Sequence, residues 1–311
     1  MKDRALRVMD FLSKNNSLFA KFLRIQRSIA ALPIIAVYAI VGSYFTKLNF
    51  FRLNFLLGAI ALYLISVAVN GYNNLFDIEE DKLAISSKIV KSNYLLNEFT
   101  WRQLKWNFAL TSIVLAIIIL IIGNLEFAVL CAFTFILGII YTKPIRLKNI
   151  PLIGTFSNTY GFSILPVLSS FFLLNGDLRT SIAFILSIFL PVFVSCLIAE
   201  IADREIDKQI GTRTTARWLG KHIRLLFKIV LILSFVLYFV AIYIHWAVIL
   251  VTPFVAAILY DTFKLYIDFA EKKADYALIR IGANISRGFI IYIIAAIIIR
   301  WTAPDIINTI F

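Results

Sequence analysis

The sequence predicts an all-α integral membrane protein, a single bundle of about nine transmembrane helices. Three observations carry that expectation. Of the 311 residues, 61% are hydrophobic and the mean hydropathy is +0.87, whereas soluble domains lie near about 45–50% apolar. The apolar residues fall in successive runs of about 20, the length a helix needs to cross the hydrocarbon layer. The formal charge of +13 resides in short segments between those runs. That distribution points to membrane orientation and anionic ligands, and away from nucleic acid.

Taken in order, residues 1–28 read as a cytoplasmic amphipathic lead-in, with Phe11, Leu18, Phe19, Phe22 and Leu23 among charges. Lys2, Arg4 and Arg7 open the chain, but the first apolar run starts too late and is too long for a cleaved signal peptide. A single transmembrane domain is expected over 29–311. Its spans are expected at about 29–46, 54–73, 106–123, 125–141, 152–174, 181–201, 225–244, 247–263 and 283–300. Pro33, Pro166, Pro191 and Pro253 lie inside spans and are expected to kink them, which membrane bundles tolerate. Cys131 and Cys196 sit inside apolar runs without metal-ligand spacing and read as buried bystanders, not a disulfide.

Loop charges alternate. One side takes the N-terminus, the 74–105 segment, Lys143, Arg146 and Lys148, the cluster from Arg204 to Lys228, and Lys264, Lys272, Lys273 and Arg280. The other side takes Lys47, Arg52 and Arg179, with Arg300 near the end. The positive-inside rule then places the N-terminus in the cytoplasm and the C-terminus outside.

Two span ends on the basic side carry carboxylates. Asn70, Asn73, Asp77 and Asp81 share one helical stripe at the end of the second span. Asp203 and Asp207 repeat the spacing at the end of the sixth. Carboxylates at the mouth of a membrane helix need a partner. Mg2+ takes oxygen ligands and keeps coordination positions for substrate phosphates, so two facing pairs could hold a diphosphate through metal. One such pair alone also reads as an ordinary solvated cap; the repeat is what argues for metal.

These residues, with their surroundings, resemble the UbiA superfamily of intramembrane prenyltransferases. Asn73-x-x-x-Asp77-x-x-x-Asp81 is similar to the family's first motif. Asp203-x-x-x-Asp207 continues through Gly211-Thr212-Arg213-Thr214 to Arg217-Trp218-Leu219-Gly220, close to the pattern D-x-x-G-x-R-T…R-x-L-G. Tyr141-Thr142-Lys143-Pro144-Ile145-Arg146-Leu147-Lys148, with Pro151 and Gly154, is similar to the loop after the fourth helix. Departures are Asn74 where many members have Asp, Ile85-Ser86-Ser87-Lys88-Ile89 in place of Arg-Pro-x-Arg-Pro, and Arg27-Ser28 in place of Arg-Pro.

The resemblance implies helices around a central cavity and transfer of a prenyl group from an isoprenyl diphosphate to a lipophilic acceptor within the bilayer. That acceptor is either a quinone or aromatic precursor or a glyceryl-ether lipid precursor. Asp77, Asp81, Asp203 and Asp207, with Asn73, are then expected to hold Mg2+. Lys143, Arg146, Lys148 and Arg213 are expected to bind diphosphate oxygens, with Arg27, Lys88 and Arg217 as further candidates. Tyr141 is expected to shield the reactive carbon. The multi-pass chain would lie in the cell membrane with its active-site loops cytoplasmic. A cyclase of the same superfamily and a membrane transporter or lipid-binding protein are the alternatives, separable by product and by cation flux.

Overall fold

Helix α1 (Ser28–Phe45) is followed by α2 (Leu53–Phe76), α3 (Trp101–Ile122) and α4 (Leu125–Thr142). Next come α5 (Ile153–Thr159), a π-helical turn (Tyr160–Ile164), α6 (Leu165–Leu173) and α7 (Leu178–Ala202). Short α8 (Arg204–Gln209) and α9 (Thr215–Leu219) lead into α10 (Ile223–Ile244), α11 (Thr252–Ile267) and α12 (Glu271–Thr302). This computed structural model describes residues 28–77, 100–267 and 271–302. The lead-in before Ser28, and with it Arg27, lies outside the described residues, as do Asp81 and Lys88.

Each of the nine expected spans has a helical counterpart among the described residues. Seven are helices long and apolar enough to cross a membrane by themselves. The first span is the shorter apolar stretch Ala31–Phe45. The fifth is composite, running through α5, the π turn and α6.

Local chemistry explains the boundaries. The Thr100 side chain accepts from the Gln103 amide, and the Gln103 side chain accepts in return from the Thr100 amide, a capping box. It starts α3 five residues before the apolar run that betrays the helix in sequence. Gly123, at φ 65°, ends α3 in the left-handed conformation. Asn124 and Asp177 then cap α4 and α7 by accepting from the Phe127 and Thr180 amides, both at 2.7 Å. The break in the fifth span precedes Pro166, which cannot donate to the carbonyl of Phe162. The chain widens instead, and the Leu165 amide bonds the Tyr160 carbonyl one residue further back than in an α-helix.

Two apolar clusters fill the bundle. One centres on α7, through Phe184, Ile188, Phe193, Leu197 and Ile201, against α10, α11 and α12. The other joins α1, α2, α4 and α6 through Tyr38, Leu62, Ile65, Phe127 and Leu165. Helix α3 instead exposes Ile113, Ile117, Leu120 and Ile121, the side that meets lipid in a membrane-spanning chain. Interhelical contact in membranes depends on close backbone approach more than on water exclusion. Gly138 of α4 supplies it, since a Cβ there would collide with the Val69 side chain of α2.

Gly138→Leu should therefore force α2 and α4 apart and destabilise the detergent-solubilised protein by about 1–3 kcal/mol, the usual cost of overpacking. A thermal unfolding midpoint unchanged from the parent would contradict the close approach.

Candidate active site

Helices α2, α4 and α7 all finish at the same end of the bundle. Helix α2 unwinds at Asp77 (φ −102°, ψ 16°). The Asp77 amide still donates to the Asn73 carbonyl at 3.0 Å, so Asn70, Asn73 and Asp77 keep one face. The second motif is interrupted: α7 stops at Ala202 and α8 starts at Arg204. Yet the Asp207 amide donates to the Asp203 carbonyl at 2.9 Å, so helical register survives the break. Asp77 and Asp207 are buried, at 7% and 8% exposure, and Asp203 is half-buried.

The basic loop after α4 brings these two motifs together. The Lys148 Nζ lies 2.6 Å from Asp77 Oδ2, with both side chains close to nine-tenths buried. The same ammonium acts on Asp207. Burial pushes the Asp207 carboxyl up to about 7, and the neighbouring charges of Asp203 and Glu200 push the same way. The Thr214 hydroxyl, 3.2 Å from Asp207 Oδ2, and Lys148 oppose them.

Other basic side chains are placed differently. Lys143 is exposed and lies over the Phe76 ring, 5.1 Å from its centroid. Arg146 is half-buried at a left-handed turn (φ 61°), and Arg213 is exposed on the loop before α9. Arg217, a sequence candidate for diphosphate binding, donates instead to two backbone carbonyls. These are Asp207, at 2.7 Å, and Thr212, so it clamps the loop that carries Arg213.

Hydrogen bonds to one buried carboxylate fix the loops, and sequence reasoning missed them. Glu200 accepts from the Thr155 hydroxyl at 2.5 Å and from the Ala216 amide at 3.0 Å. The hydroxyls of Thr155 and Thr215 lie 2.6 Å apart, and Thr215 also accepts from the Leu152 amide at 2.7 Å. Leu152 has φ 65° and ψ −49°, a conformation that persists only when its surroundings hold it. One carboxylate thus joins the end of α7, the start of α5 and the start of α9. Gly154 completes the fit: a Cβ there would stand 3.0 Å from the Lys148 Cα and from the Leu147 carbonyl. A glutamate among apolar residues one turn before Asp203 was the available signal; its threonine partners lie too far along the chain to be read from spacing.

Deeper in the bundle, a cavity of about 110 Å³ is lined by Ser66, Asn70, Thr134, Tyr141, Asn158 and Tyr160 with apolar neighbours and, among the described residues, by no charged side chain. Asn158 donates to the Tyr141 hydroxyl at 2.9 Å. Asn70 donates to the Ser66 carbonyl at 2.9 Å. Tyr141 stands in the last turn of α4, just before the loop that carries Lys148, and lines the cavity.

The donor set suits a hard divalent cation. No three His, Cys, Asp or Glu side chains among the described residues group closely enough to cage an ion. Mg2+ does not need such a cage, because it is commonly held by one or two carboxylates together with substrate phosphates and water. Two buried carboxylates from different helix ends, Asp77 and Asp207, are the donors that fit it.

Comparison with known proteins identifies the family and the fold. The profile of the UbiA prenyltransferase family matches residues 30–287. A UbiA homolog from Archaeoglobus fulgidus bound to GPP and Mg2+ is 21% identical, covering 89% of this chain and 99% of its own, with a TM-score of 0.67. The same homolog bound to DMAPP and Mg2+ gives 0.68 at 21% identity, with the same coverage. A structure described for digeranylgeranylglyceryl phosphate synthase in membranes is 17% identical, covers 90% of this chain and 98% of its own, and has a TM-score of 0.63. No curated protein sequence matches the chain.

Glu200→Ala should strand the Ala216 amide and the Thr155 hydroxyl, lowering stability by about 1–3 kcal/mol. Glu200→Gln, which keeps an acceptor oxygen, should recover part of the loss. Thermal unfolding of the three proteins in one detergent measures both, and equal midpoints would refute the node.

Proposed function

This chain belongs to the UbiA prenyltransferase family, and we propose that it transfers a prenyl group from an isoprenyl diphosphate to a lipophilic acceptor within the membrane. The observation that carries the reading is the buried convergence of Asp77, Asp207 and Lys148 above an uncharged polar cavity. The acceptor is a quinone or aromatic precursor or a glyceryl-ether lipid precursor. The N-terminus and the acidic mouth face the cytoplasm, where the basic loops concentrate, and the C-terminus lies outside.

In this reading Asp77 and Asp81 on one side, and Asp203 and Asp207 on the other, hold Mg2+, with Asn73 as a neutral oxygen ligand. The bound cation supplies positive charge for the departing diphosphate. Lys148 and Arg213 hold diphosphate oxygens, with Lys143 and Arg146 at the rim. The allylic carbon–oxygen bond breaks with its electron pair going to diphosphate. The acceptor atom bonds to the allylic carbon and then loses its proton. Tyr141 stands beside the reactive carbon, where an aromatic face stabilises positive charge. The uncharged cavity keeps water from the cation and offers hydroxyl and amide groups, but no competing carboxylate nucleophile.

Diphosphate release by the protein in lipid, with geranylgeranyl diphosphate and a panel of acceptors, tests this. Release should require both Mg2+ and one acceptor class, and the product should contain acceptor atoms. A free cyclic hydrocarbon without acceptor would overturn transfer in favour of cyclisation. Asp77→Asn and Asp207→Asn should each lower turnover by about 10²- to 10³-fold, the scale seen when one electrostatic element is removed from a preorganised site. Full activity of either variant would defeat the ligand assignment.

A further inference from the structure

Lys148 sits where a buried positive charge is required. Its ammonium is 2.6 Å from Asp77 at the end of α2 and acts on Asp207 in α8, so one side chain links the two carboxylate motifs. The placement is built in. The backbone of Lys148 lies against Gly154, where a Cβ would stand only 3.0 Å from the Lys148 Cα, and the adjoining chain is tied down through Leu152, Thr215 and Glu200. The pair is also nearly dry. Removing one member of a buried pair leaves the other uncompensated, at a cost well above that of an exposed pair.

Two consequences follow for ligands. A cation that takes Asp77 must displace the Lys148 ammonium and leave it without that partner. An anion that takes Lys148 must draw it from Asp77 and leave that carboxylate exposed to its like-charged neighbours. When both arrive together, the cation replaces Lys148 at Asp77 and the anion receives the displaced ammonium. We propose that Lys148 is the resident counter-ion of the acidic mouth, and that its exchange between Asp77 and diphosphate makes cation and diphosphate binding mutually dependent. Such coupling is reciprocal by thermodynamic necessity. It would keep the carboxylates from collecting free cation and would load the site only with the pair. The inference rests on the proposed metal and diphosphate reading and adds to it a role for Lys148 before any substrate is bound.

The test measures two affinities separately on the full chain in nanodiscs. Mn2+, read by its paramagnetic resonance, is the cation probe without diphosphate; inorganic diphosphate is the anion probe in metal-free buffer. Lys148→Gln should bind Mn2+ about tenfold more tightly, because its competitor is gone, and diphosphate more weakly. The tenfold figure lies within the usual range of site-to-site coupling, about 5- to 150-fold. A lysine that served structure alone would weaken both, and one that only touched diphosphate would leave Mn2+ unchanged; either result with folded variant overturns the proposal. If Lys148→Gln does not fold, Asp77→Asn decides. By freeing Lys148 it should tighten metal-free diphosphate binding, and unchanged or weaker binding overturns the proposal. A parent protein that binds neither probe even when Mn2+ and diphosphate are supplied together overturns the functional reading itself. One that binds both, without the opposed shifts in the variant, overturns only the exchange.

Discussion

The structure depends on carboxylates buried at one end of an apolar bundle. Asp77 and Asp207 are nearly as buried as core leucines, with Asp203 and Glu200 close enough to raise the Asp207 carboxyl further. Carboxylates so placed are costly unless paired. Lys148 supplies the ammonium that meets Asp77. A soluble protein could hydrate such a cluster. Here the apolar walls that make the mouth expensive are the same walls that would protect a carbocation from water.

Precision at the mouth comes from hydrogen bonds that a carboxylate and a guanidinium make to neutral groups. Glu200 gathers Thr155, Thr215 and the Ala216 amide, and Arg217 holds the carbonyls of Asp207 and Thr212. These contacts join loops that leave different helices, so the basic loop and the second acidic motif are positioned as one unit. Two residues that look like ligands from their charge therefore act on protein backbone and threonine hydroxyls. Their contribution to chemistry is to hold Lys148, Asp207 and Arg213 in place.

Below the mouth the fold changes character. The π turn before Pro166 contributes Tyr160, Gly161 and Phe162 to the cavity wall, where a regular helix would rotate them differently. The polar groups there bond to one another, as Asn158 does to Tyr141 and as the Tyr160 and Thr134 hydroxyls do at 3.1 Å. The cavity is thus polar without being charged.

Much of this was legible in the sequence. The bilayer demands about 20 apolar residues per crossing, and that local requirement sets the number and order of spans without reference to packing. The same desolvation cost makes Asp77 and Asp207 conspicuous at span ends. Only the tertiary structure decided which cation meets which carboxylate. Lys143, Arg146, Lys148, Arg213 and Arg217 are equivalent as charges along a chain. Lys148 reaches Asp77 because Gly154 lets its backbone descend and Thr215, from 63 residues away, holds Leu152 in an unusual conformation. Arg217 turns inward because Asp207 and Thr212 present carbonyls to it. Pairing over such separations follows from backbone paths that no local periodicity encodes.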